Sequence, residues 1–256
     1  MRLIMTVYPP AEEGPLQRKI IDLTHPIEDG MPGFRMKDGA GNVTEFTARV
    51  RPFLTHRQSL PNYQGKASFE ITEVGFQTSI GTYLDAPRHR FEGRADVAAL
   101  ELDTLILDCV VVDATFCTPE RPLARGELPP SETLRGKAIL FHFGWDRHWG
   151  TESYYRYPYV DRDAIVHLRQ TGIRLFGVDT LNADNPLDLE RPAHTLFLDG
   201  GIHIVENLRG LNRLLHRSCR FYAIPLPVRD AAAFPVRAFA ELLPQKNAGM
   251  SFWQSS

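Results

Sequence analysis

Ser79-Ile80-Gly81-Thr82-Tyr83-Leu84-Asp85-Ala86-Pro87-Arg88-His89 is the stretch around which the rest of the chain is organised. The preceding run, Ile71 to Phe76, has strand character. Gly81 lacks a Cβ and allows a sharp turn, and Pro87 holds Ala86 extended. The segment thus brings a carboxylate, Asp85, and a titratable base, His89, toward one cavity, a pairing that metal-assisted hydrolysis needs. Alone, such a pair reads as a turn-capping carboxylate and a backbone-bonded histidine. A second cluster downstream shifts that balance.

Working outward, Leu105 to Val112 with Asp113, and Ala138 to Phe143, are apolar runs too short for lone helices and predict central strands. The segment between them carries Pro119, Pro122, Pro129 and Pro130 and reads as a connecting loop. Asp161 is the N-cap expected for a helix over Ala164 to Gln170, Gly172 closes it, and Ile173 to Val178 is the strand that follows. Helix followed by strand indicates an α/β layer arrangement. Upstream, Lys19 to Ile27 predicts a first strand ended by Pro26, Asp38 to Asn42 a glycine-rich turn, and Arg51 to Gly65 a long polar excursion able to cover a site or reach a neighbour. The aromatics Trp145, Trp149, Tyr154, Tyr155, Tyr157 and Tyr159 crowd one loop, where they pack together or stack a planar ligand. The expected fold is a single α/β domain over 1–256, a layered mixed sheet with flanking helices, with an N-terminal arm at 1–18 and a C-terminal tail at 240–256.

The 256 residues, 43% hydrophobic and 23% charged, suit one large globular domain. A formal net charge of -2 leaves no basic surplus for phosphates, so nucleic acid is not an expected partner. Cys109, Cys117 and Cys219 make an odd count without Cys-x-x-Cys spacing, which argues against a disulfide framework and a thiolate zinc site. Cys109 reads as a small buried hydrophobe. No signal-peptide core or membrane-length apolar run stands out, and the expectation is a soluble cytoplasmic protein.

The second cluster is Ala193-His194-Thr195-Leu196-Phe197-Leu198, followed twelve residues after His194 by Glu206-Asn207-Leu208. With it, the stretch from Ser79 resembles the signature His-x-Gly-Thr-His-x-Asp-x-Pro-x-His of the metal-dependent hydrolases of the cyclase, or kynurenine formamidase, family. Gly81, Thr82, Asp85, Pro87 and His89 match, while Ser79 and Tyr83 stand where that signature has histidine. The resemblance runs from about Ile20 to Ala238. It implies the swivelling β/β/α fold, a divalent cation held by Asp85, His194 and Glu206, and His89 as acid or base. It also implies a homodimer or homotetramer. The oxygen-rich ligand set favours Mn²⁺ or Mg²⁺ over Zn²⁺. Ser79, Trp145 and His142 are candidate substrate contacts, His142 because its strand neighbours point to the opposite face.

The implied activity is hydrolysis of an amide, formamide, cyclic amide or lactone bond in a small, planar substrate. Two other readings stay open. One is a metal-independent enzyme in which Tyr83 donates to a developing oxyanion while His89 activates water. The other is a small-molecule binding protein that keeps the pocket without turnover.

Overall fold

The structure, a computed structural model, describes residues 18–244. Of the expected terminal segments, 1–17 and 245–256 lie outside the described residues. In chain order the first elements are β1 (Ile20–Asp22), β2 (Pro32–Lys37), β3 (Val43–Thr47), β4 (Arg49–Leu54), the short helix α1 (His56–Ser59), β5 (Ile71–Gly75) and β6 (Tyr83–Asp85). Then come β7 (Ile106–Asp113), β8 (Ala138–His142), α2 (Arg162–Thr171), β9 (Leu175–Val178), α3 (Pro192–Asp199) and β10 (His203–Glu206). β11 (Cys219–Tyr222), β12 (Ala233–Pro235) and β13 (Phe239–Leu242) complete them.

Among the described residues, nine strands form one mixed sheet in the order β1-β13-β11-β7-β8-β9-β10-β6-β12. β7, β8, β9 and β10 are mutually parallel at its centre, and the flanking pairs are antiparallel. β8 and β9 are buried at every position, which is why residues 138–141 and Leu175–Val178 read as unbroken apolar runs. β8 shows the period: Ile139 and Phe141 enter a core with Ile165 and Leu168 of α2 and Phe197 of α3, while Ala138 and Leu140 enter a second core with Leu208, Leu211 and Phe221. α2 forms as expected. The Asp161 side chain accepts from the Ala164 amide at 2.8 Å, and Gly172 ends the helix at φ 80°.

Three expectations change. Residues 240–242, expected in a tail, belong to β13, which pairs with both β1 and β11; Ala240 is a core residue, so the sheet gains by keeping the segment. Arg51 to Gly65, expected only as a polar excursion, carries regular structure: β4 pairs with β5 outside the main sheet, and Thr55 caps α1. The signature itself forms a strand, with Tyr83 to Asp85 fully paired between β10 and β12 and only its flanks turning. Gly81, at φ 60°, supplies the turn into it.

Two buried histidines make the fold sensitive to acid. His25 stacks on Trp149 with ring centroids 3.9 Å apart, and His203 reaches the Thr104 hydroxyl through Nε2 at 2.9 Å. Each keeps one ring nitrogen buried without a partner, and burial pushes both down from 6.5 to about 4. The unfolded chain therefore binds more protons than the folded one between those values. Their contribution to stability is full above pH 6.5 and is lost as pH drops toward 4, by about 3 kcal/mol per histidine. Thermal melts at pH 7 and pH 5 should show this loss, and His203→Gln should shrink it; an unchanged pH slope in that variant would count against the assignment.

Candidate active site

Strand register assembles the site. β6 runs antiparallel to β10 with Tyr83 opposite Glu206 and Asp85 opposite Ile204. Tyr83 and Asp85, two residues apart, project to one face with Glu206, while Leu84 and Val205 point into the opposite core. That face is the one α2 and α3 cover, and α3 delivers His194 onto it. Pro87 to His89 form a single 3-10 turn that folds His89 back toward Asp85.

Asp85 is completely buried, yet neither of its oxygens meets a hydrogen-bond donor. His89 Nδ1 lies 3.3 Å from Oδ1 and His194 Nε2 lies 3.6 Å from Oδ2. The three donor atoms fall within 4.8 Å of one another. Two tetrahedral ligands about 2.1 Å from an ion stand about 3.4 Å apart. An orphaned buried carboxylate facing two ring nitrogens at such separations fits a divalent cation.

Glu206, also fully buried, is engaged differently. Its Oε1 accepts the Ala183 amide at 2.7 Å and stands 3.5 Å from His194 Nε2, and its Oε2 accepts a short hydrogen bond from the Tyr83 hydroxyl. Burial and the Asp85 charge push Glu206 up to about 7, against the pull of His194. Burial, followed by the charges of Glu206 and Asp85, raises the Tyr83 phenol well above its usual range, so it stays protonated and can donate. His194 is pushed up to about 10: burial opposes the charge, but Asp184, Asp85 and Glu206 outweigh it. His89 is lowered by burial, with Asp85 opposing.

The sequence reading missed Asp184. Its Oδ2 meets His194 Nδ1 at 2.6 Å, its Oδ1 accepts the Ala193 amide at 2.6 Å, and Arg191 approaches it at 3.3 Å. It both caps α3 and fixes which nitrogen of His194 faces Asp85. Asp184 lies in an irregular polar loop, with no spacing rule tying it to His194. The Gly81–Thr82 turn is held too. Asn207 donates to the Gly81 carbonyl at 2.8 Å and accepts from Tyr154 at 2.8 Å, while the His25 amide donates to Thr82 Oγ1 at 3.0 Å.

A cavity of about 620 Å³ opens over Tyr83 and His89. Ser79 lines it, together with Trp149, Tyr154, Tyr155 and Tyr157 from the aromatic loop. Phe34, Arg35 and Glu45 of the β2–β3 hairpin form another wall, where the Arg35 guanidinium sits 4.5 Å over the Tyr155 ring. His142 and Trp145 do not line it. His142, at the end of β8, turns its Nδ1 to the buried Asp179 carboxylate at 3.0 Å, and Trp145 packs against the core below α2. The aromatic loop does face the cavity, but through Trp149 rather than Trp145.

Residues 21–185, more than half of the chain, match the family described as Putative cyclase. A kynurenine formamidase of Erythrobacter litoralis is 28% identical over 204 residues, covering 74% of this chain and 92% of that protein. One of Geobacillus thermodenitrificans is 27% identical over 179 residues, covering 69% and 82%. The crystal structure of an isatin hydrolase bound to the product analogue thioisatinate superposes with a TM-score of 0.75 at 19% identity, covering 90% of this chain and 94% of that one. The chain belongs to the cyclase family of hydrolases and has its fold.

Proposed function

We propose that this protein hydrolyses an amide, formamide, cyclic amide or lactone bond in a small planar substrate held in the aromatic cavity. The observation that carries the proposal is the buried, unpartnered Asp85 carboxylate facing His89 and His194 at the cavity floor. Relatives named kynurenine formamidase, and a fold neighbour named isatin hydrolase, are in keeping with it.

Asp85, His89 and His194 would hold a divalent cation, which would polarise the scissile carbonyl and make water more acidic. His89, expected from the sequence to move protons, thus joins the ligands, while Glu206, expected among the ligands, serves the Tyr83 hydroxyl. Two imidazoles and one carboxylate are a softer set than the oxygen-rich one expected. Mn²⁺ suits both donor types better than Mg²⁺ does. When Glu206, pushed up to about 7, is protonated, it can donate to the Tyr83 oxygen, and this frees the Tyr83 hydroxyl to turn its one proton from Glu206 to the oxyanion that develops on the substrate. Trp149 and Tyr155 supply aromatic walls for the planar substrate. Tyr83→Phe should lower turnover roughly 100-fold with cation content unchanged; loss of the cation in that variant would make Tyr83 a ligand instead.

The direct test is turnover of formyl-anilides, cyclic imides and lactones with Mn²⁺, Zn²⁺ or chelator. No turnover of any of them, with the substrates still binding, would favour the binding-protein reading. One observation supports a second mechanism: His194, surrounded by Asp184, Asp85 and Glu206, holds a proton up to about 10 and can balance those charges itself. Turnover indifferent to chelator, in protein with sub-stoichiometric metal, would select that mechanism.

Assembly is a second copy of this chain. The β2–β3 and β4–β5 hairpins stand outside the main sheet and expose Phe34, Val43, Phe53 and Val74, with Phe53 at 67% exposure. Light scattering should report a dimer or tetramer, and Phe53→Glu should shift it toward monomer; a 29.0 kDa species at micromolar concentration would contradict this.

A further inference from the structure

β7 and β11 pair antiparallel with Cys109 directly opposite Cys219. Both side chains are buried in the same core, and their sulfurs stand 2.9 Å apart. Directly opposed residues of antiparallel strands have Cα atoms about 4.5–5.5 Å apart, inside the roughly 4.4–6.8 Å span that a disulfide bridges. Cys117 lies in the other core, across the sheet, and cannot compete for either partner. The sequence spacing of 110 residues concealed the pair, and only strand register brings it together.

We propose that Cys109 and Cys219 form an oxidation site, closing under hydroperoxide to an intramolecular disulfide that staples β11 to β7. Either thiol can donate to the other; where Cys219 is the thiolate, it is the sulfur that attacks first. As it does, the peroxide O–O bond breaks, one oxygen passes to Cys219 as a sulfenic acid, and the other leaves as water. The Cys109 sulfur then displaces that oxygen, the S–S bond forms, and a second water departs with the Cys109 proton. Two thiols and one hydrogen peroxide become one disulfide and two waters. The bond ties β11, and through it β13 and β1, to the parallel centre of the sheet. By closing a long loop it restricts the unfolded chain and so raises stability. Neither cysteine lines the cavity.

The test treats the full-length protein with hydrogen peroxide, then alkylates it under denaturing conditions and maps the peptides. The expected product has the Cys109 and Cys219 peptides linked within one chain, Cys117 alkylated, and a melting temperature roughly 5–10 °C higher. Dithiothreitol after unfolding should reverse both changes. Cys117→Ala, which leaves the pair intact, should still form the link, and Cys219→Ala should lose it together with the melting shift. Three alkylatable cysteines after treatment, sulfinic acid at either position, or a link between two chains would each overturn the proposal.

Discussion

Asp85→Asn should abolish hydrolysis, by at least about four orders of magnitude, and strip the cation, without weakening the fold. The expected loss follows from geometry. Asp85 is the one residue whose two oxygens face His89 and His194 separately, and no donor compensates it. A buried carboxylate without donors costs several kcal/mol. In the cation-free protein His194 keeps Asp184 and Glu206 as charge partners, so removing the Asp85 charge should leave the melting temperature unchanged or higher, whereas mutating an ordinary structural carboxylate lowers it. The discriminating measurement pairs metal analysis with thermal melts of cation-free wild type and variant. A variant that melts well below wild type would mean that Asp85 is structural and that lost activity reflects unfolding.

His89→Gln should lower turnover by roughly two to four orders of magnitude. Here the metal content carries the information. If His89 completes the cation site with Asp85 and His194, the variant loses bound metal, and added Mn²⁺ at high concentration restores part of the turnover. The alternative is that His89 moves a proton. The variant then keeps its metal, and turnover loses whatever pH dependence the imidazole imposes in wild type. His89 is exposed at the cavity edge, and desolvation on its inner side, opposed by Asp85, lowers it below the usual histidine range, so it is neutral at pH 7 in either role. Unchanged turnover would leave the Tyr83–Glu206 pair as sole carrier of the chemistry.

Much of this site was legible because its parts are local. Gly81, Asp85, Pro87 and His89 fall within one short stretch, and a glycine before a strand and a proline after it have direct backbone consequences. The N-cap Asp161 and Gly172 declared α2, and the apolar runs of β7 and β8 declared strands; β8 is buried at every position, while β7 exposes Asp108 and Asp113. The place of His142 was not legible for a related reason. Period two told correctly that its neighbours point away, but which face of the sheet holds the cavity is not written in a strand's own pattern. Trp145 and Trp149 are four residues apart in one loop, and only the packing of that loop decides which of them meets the ligand.

The sequence by itself determined that this chain has a mixed α/β sheet and a Gly-Thr turn leading to Asp85 and His89, and its resemblance to the cyclase family pointed to His194 and Glu206 as their company. Tertiary structure alone decided what those groups do to one another. Tyr83 meets Glu206 because β6 lies antiparallel to β10 in one register, and a slip by one residue would send both side chains to opposite faces. Asp184 orients His194 because an irregular loop caps α3, and Cys109 meets Cys219 because β11 returns beside β7. Local propensity is set by a residue and its neighbours in the chain. Register and loop packing are set by the sum of many distant contacts, so they emerge only when the whole sheet is assembled.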